Sequence, residues 1–177
     1  MRLTLFALCV FAATPLRAAP APVAAPAPYL PAHPKSIGKY GVWQAATRNE
    51  GGQAICYVFT RPVRSAPRVP GRGDAVLTVT RRPNRADSVA LSAGFRLTGH
   101  TDAVLAVGDV KLDFYIDGRS AFARQNAQAV AVLTHETSVD IHMLAPRLVA
   151  VTDHFSLYGF ASAYAAMNKA CPAGAAP

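Results

Sequence analysis

From Tyr40 onward, apolar and polar positions mostly alternate with the two-residue period of half-buried strands. Tyr40 to Thr47 and Ala54 to Thr60 are rich in aromatic and β-branched residues. Asn49-Glu50-Gly51-Gly52 between them predicts a hairpin. Ala75 to Arg81 alternates most cleanly, with Val76, Thr78 and Thr80 on one face and Leu77 and Val79 on the other. Ser88 to Leu97, Ala103 to Val107 and Val110 to Ile116 are further expected strands, the last two joined by a Gly108-Asp109 turn. Val139 to Met143 and Leu148 to Leu157 form another expected hairpin around Ala145-Pro146-Arg147. Two stretches change period. Gln125 to Thr134 places Ala127, Val130, Ala131 and Leu133 at helical spacing, and Phe160 to Ala170 does the same with Phe160, Tyr164 and Met167. Gly159 before the second run and Pro172 after it fit the ends of a short helix. The pattern predicts a mainly β chain: an immunoglobulin-like β-sandwich with a short C-terminal helix and one further short helix.

The first residues add a compartment. Arg2 precedes the apolar run Leu3 to Ala13, and small residues follow at Ala18 and Ala19. This is the layout of a secretory signal peptide over residues 1–19, with a run too short to span a bilayer. Residues 20–34 are rich in Ala and Pro, which reads as a linker without helix or ladder bonding. A domain over 35–171 and a frayed tail over 172–177 complete the expected organisation. Export places the domain in the periplasm, associated with the outer membrane or released, and leaves no membrane-spanning segment after signal removal. Of three cysteines, Cys9 lies in the signal, where a lipoprotein reading lacks the usual small residue before it. Cys56 and Cys171 remain, and an even pair in an exported chain predicts a disulfide. Closing a loop of roughly 100 residues is worth about 4.7 kcal/mol in the chain-entropy model.

Charge narrows the partner classes. The formal net charge is +8, and Arg2 and Arg17 fall within the signal. Arg61, Arg64, Arg68, Arg72, Arg81, Arg82 and Arg85 face one acid, Asp74, over the same stretch. Such a run is a candidate anion-binding patch, for lipopolysaccharide, other lipid head groups or acidic glycans, or else a solvated loop. Export argues against nucleic acid.

Candidate chemistry is sparse. His135-Glu136 opens like a zinc-protease helix, but Val139 stands where the second histidine belongs. His142 and His154 fall on neighbouring expected strands without carboxylates or cysteines at ligand spacing. There is no Gly-x-Ser-x-Gly elbow, and Gly71-Arg72-Gly73 lacks the strand-to-helix context of a phosphate loop. No catalytic residue, metal or cofactor is therefore expected. Arg72-Gly73-Asp74 matches an adhesion tripeptide and equally suits a bend before a strand. Trp43, the single tryptophan, suits a core anchor better than a sugar platform.

Taken in order, these pieces resemble the invasion-associated locus B family of exported bacterial proteins, from Gly38 to Cys171. Gly41-Val42-Trp43 is followed by Cys56-Tyr57, Arg61-Pro62, Arg72-Gly73-Asp74, Val79-Thr80-Arg81-Arg82-Pro83, Gly94-Phe95 and Asp117-Gly118. The closing run Thr152-Asp153-His154-Phe155-Ser156-Leu157-Tyr158-Gly159-Phe160, an alanine-rich helix and Cys171 are the most specific. The sequence departs from the family pattern at Val42, Phe122 and Leu148. The resemblance implies an envelope-associated β-sandwich, linked in some pathogens to host-cell invasion. It implies no catalytic residues. The expected function is that of a non-enzymatic envelope accessory or binding protein whose partner is an envelope component or a protein.

Overall fold

In a computed structural model of the chain, residues 34–83, 85–97, 103–107 and 109–172 are described. The signal, most of the linker, Gly108 of the expected turn and all of the tail but Pro172 lie outside them. The described residues are mainly β with two helices, sandwich-like as the alternation requires. Eleven strands join in one antiparallel ladder, β1 (Lys35–Tyr40), β2 (Trp43–Glu50), β3 (Gln53–Thr60), β4 (Arg64–Ala66), β5 (Val76–Arg81), β6 (Ser88–Ser92), β7 (Ala103–Val107), β8 (Val110–Asp117), β9 (Ser120–Ala123), β10 (Ser138–Ala145) and β11 (Val149–Ser156). The helices are α1 (Asn126–His135) and α2 (Phe160–Ala170). The ladder order is β1-β2-β3-β5-β6-β9-β8-β7-β10-β11-β4.

The ladder folds back so that its two ends meet. β2 and β11 are the second and tenth members, yet the Trp43 indole Nε1 donates to the Ser156 carbonyl at 3.1 Å and the Val42 amide to the Tyr158 carbonyl at 3.2 Å. Inward positions of all the long strands thereby share one core: Trp43, Val58, Leu77, Leu91, Phe114, Ile141 and Phe155 are fully buried. Trp43 is the expected core anchor, edge-on to Phe160 with ring centroids 4.8 Å apart.

The α2 helix starts at Gly159, whose φ of 92° lies in the left-handed region. A Cβ there would sit 2.0 Å from the Tyr40 carbonyl oxygen, so only glycine lets the helix enter against the β1–β2 turn. Phe160, Ala163 and Met167 then point into the core, while Tyr164, expected beside them, is half-buried. In α1 the buried stripe is Ala129 and Leu133; Ala127 and Ala131 face outward, contrary to the expected pattern. Cys56 and Cys171 form the expected disulfide, with a Cα–Cα distance of 6.1 Å, and it fastens the end of α2 to β3.

Candidate binding face

The seven arginines divide between the two ends of β5, five residue steps of about 3.4 Å apart. At the first end, Arg72 is a buried structural group. Its Nη1 and Nη2 donate to the two Asp153 carboxylate oxygens at 2.7 and 2.5 Å, its Nε to the Ala93 carbonyl at 2.8 Å, and its guanidinium lies 4.8 Å from the Phe95 ring centroid. The Arg72 and Asp153 side chains are 10% and 0% exposed, and Ser65 Oγ adds a third donor to Asp153 at 2.7 Å. The Arg72-Gly73-Asp74 tripeptide therefore does not offer its arginine to solvent. Arg61 pairs with Asp74 at 2.9 Å on the surface, and Arg64 and Arg68 are exposed nearby in sequence.

At the other end Arg81 is equally committed. It meets Asp87 through Nε and Nη2 at 2.7 and 2.6 Å, donates to Asn168 Oδ1 at 2.5 Å and to the Tyr164 hydroxyl at 3.2 Å, and is 12% exposed. The hydrogen bond to Asp87 leads the effects that raise the Arg81 pKa above its ordinary value. The Tyr164 hydroxyl donates to Asp87 at 2.5 Å; burial first, and the Asp87 carboxylate second, push its pKa up to about 12. Arg72 and Arg81 thus leave the candidate patch: both are positioned by carboxylates, not presented to a ligand. Arg82 and Arg85 remain exposed or nearly so on the turn that follows β5, where the Arg85 amide donates to the Arg82 carbonyl at 3.3 Å. Arg82 and Arg48 share the single carboxylate of Glu50, at 3.5 and 2.8 Å.

Beside that turn, the outer face of the sheet carries an unusual set of side chains. Outward positions of solvent-facing strands are ordinarily charged or polar. Here β3 presents Tyr57 and Phe59, β5 presents Val76, Thr78 and Thr80, β6 presents Ala90 and Ser92, and β9 presents Ser120 and Phe122. The register aligns Phe59, Thr78, Ala90, Phe122 and Tyr115 in one row across five neighbouring strands. Small residues form the floor and aromatic pairs form the walls: Tyr57 with Phe59 at 5.8 Å, and Phe122 stacked on Tyr115 at 5.4 Å. Phe59 and Phe122 are three strand spacings apart, about 14 Å between backbones. The result is an open trough of about 440 Å³ with Arg48 and Arg82 at its border. Burial, opposed by the Arg48 charge, raises the Tyr57 pKa above its ordinary value, so the wall hydroxyl stays neutral. A polar hollow of about 260 Å³ adjoins it and shares Thr80 and Arg82; Arg85, Ser88 and Asn126 line it further.

The remaining sequence candidates do not assemble into a reactive centre. His154 Nδ1 lies 2.7 Å from Asp140 Oδ1, and His142 Nδ1 lies 2.9 Å from Thr152 Oγ1. Among the described residues, no three His, Cys, Asp or Glu side chains group so as to hold a metal ion. No helix among them is long and apolar enough to cross a membrane. The sequence reading missed Asp153 and Asp87 as arginine partners. The signal for Asp153 was available: it falls on the inward phase of β11, between Val151 and Phe155, where a charge requires a buried partner.

No protein-family model matches the chain, and no curated protein matches it. Among solved structures, it is similar to the crystal structure of invasion associated protein B from Bartonella henselae, with a TM-score of 0.57 and 19% identity. The match covers 75% of this chain and 95% of that one. At that identity the likeness is one of fold, and it agrees with the family resemblance carried by the ordered motifs.

Proposed function

We propose that the chain is an exported, non-catalytic binding protein of the bacterial envelope, working in the periplasm or at the outer membrane. The mainly apolar trough on the outer sheet face, bordered by Arg48 and Arg82, carries this reading. An outward surface of threonine, serine, alanine and aromatic side chains suits contact with a partner better than contact with water. The signal-like Arg2 and Leu3 to Ala13 run supports export. The Cys56–Cys171 bond supports it independently, since such bonds persist in oxidising compartments. The resemblance in fold to an invasion-associated protein supports an envelope setting, and host-cell contact would be a later use of the same surface. An anion-binding role, read from the arginine run, narrows here to Arg82 and Arg85 with Arg48, because Arg72 and Arg81 are held by Asp153 and Asp87.

Cell fractionation and co-sedimentation test the proposal together. The chain is expected in the periplasmic or outer-membrane fraction, shortened by its leader. Purified protein lacking residues 1–19 should co-sediment with envelope extracts. Recovery of the full-length chain in the cytoplasm, or no co-sedimentation at low or high salt, would contradict it.

A further inference from the structure

The trough and the hollow meet at Thr80 and Arg82, and their chemistries differ. The trough offers aromatic walls over a floor of small side chains. The hollow offers the Arg82 and Arg85 guanidinium groups, the Ser88 hydroxyl and Asn126. Asn126 Oδ1 already accepts from the Val89 amide at 2.8 Å, which leaves its NH2 as a donor. Asp87 borders the hollow, but its carboxylate is paired with Arg81 and Tyr164. Glu50 gives one negative charge for two arginines, so the junction is net positive.

An apolar trough that opens onto a cationic, donor-rich hollow has the polarity of one ligand class. We propose that this face binds a phosphate-headed amphiphile of the envelope, its apolar body lying in the trough and its head held at Arg82 and Arg85. The proposal deepens the envelope-binding reading by naming the ligand chemistry. Charge complementarity selects an anionic head over a neutral one, and arginine forks suit phosphate oxygens. The trough lies on a sheet face whose backbone groups are already paired in the ladder, which excludes binding by strand addition. Glycans with apolar faces fit the walls less well: the trough supplies hydroxyls but no amide or carboxylate side chain to fix sugar hydroxyls.

Titration calorimetry of the protein lacking residues 1–19 tests this with three probes below their micelle concentrations. Dodecyl phosphate carries the tail and an anionic head, dodecyl maltoside the same tail with an uncharged head, and inorganic phosphate the head alone. Dodecyl phosphate should bind, and more weakly as salt rises. Each of the other two should bind at least about tenfold more weakly, the equivalent of one lost charge-assisted contact. Arg82→Ser with Arg85→Ser should reduce dodecyl phosphate to the level of the maltoside. Ala90→Arg, which places a long side chain across the trough floor, should abolish binding. Trp43 is buried on the opposite side of the sheet, so unchanged Trp43 emission shows that each variant is folded. Equal affinity for the two dodecyl probes, equal affinity for inorganic phosphate, or binding unaffected by either variant would overturn the proposal. Absence of binding to all three would also overturn it while leaving export and co-sedimentation intact.

Discussion

Asp153 shows how one residue organises a region. Its carboxylate is fully buried, and it accepts two hydrogen bonds from Arg72 and one from Ser65, residues far away in sequence. The pair ties the loop before β5 to β11, and β4 docks on β11 beside it with Ser65 opposite Asp153. Removing one partner of such a pair leaves a charge without compensation in the core. Arg72→Ala should therefore destabilise the fold by about 3–5 kcal/mol. Replacing both Arg72 and Asp153 with apolar residues of similar volume should recover most of that loss. Urea unfolding of the single and double variants measures both values, and additive losses in the double variant would show that the two side chains do not act as a pair.

At the scale of elements, α2 is held by three different interactions. Phe160 and Met167 enter the core, Cys171 bonds to β3, and Tyr164 reaches the Asp87–Arg81 pair. Tyr164 has an ordinary pKa of 10 and is raised to about 12 in the folded chain. The folded state then holds this proton more tightly than the unfolded state. Its contribution is complete below pH about 10 and is lost as pH rises towards 12. Chemical denaturation across that window should show stability falling in the parent and falling less in Tyr164→Phe; identical slopes would contradict the assignment.

Helix α2 was legible to the residue, because Gly159, the apolar spacing and Pro172 all mark its ends. β5 was legible because one buried face imposes alternation, and the β2–β3 hairpin, β7 and β8 because β-branched or aromatic runs flank turn residues. Strands β1, β4 and β9 were not. β1 is an edge strand of Lys, Ser and Gly with a register shift between Ser36 and Gly38, and β4 is exposed throughout. Such segments pair through their backbones and leave little side-chain pattern. β6 ends at Ser92, earlier than expected, because Gly94 turns with φ 78° where a Cβ would sit 2.2 Å from the Gly73 carbonyl oxygen. The candidate site was half legible. Val76, Thr78 and Thr80 were visible as one face, but only strand order brings Phe59 and Phe122 to its two sides. The arginine run was visible as charge, and only the fold separates Arg72 and Arg81, which are structural, from Arg82 and Arg85, which line the hollow beside the trough.

At the scale of the whole molecule, the back-folded ladder has two consequences. Two motifs of the family resemblance converge where its ends meet: Gly41-Val42-Trp43 bonds to Ser156 and Tyr158 of the closing run. These two motifs maintain the closure of the fold and do not form the trough, whereas Tyr57, Thr80 and Arg82, from two other motifs of the resemblance, line it. The working surface then lies elsewhere, on β3, β5, β6 and β9. Amide chemical-shift mapping of isotope-labelled protein against solubilised envelope lipids tests that assignment most directly. Shifts are expected only at the outer positions of those four strands and at the Arg82–Arg85 turn. Shifts centred on the exposed Val42 and Tyr158, or on Arg61, Arg64 and Arg68, would place the binding surface at another part of the molecule and contradict it.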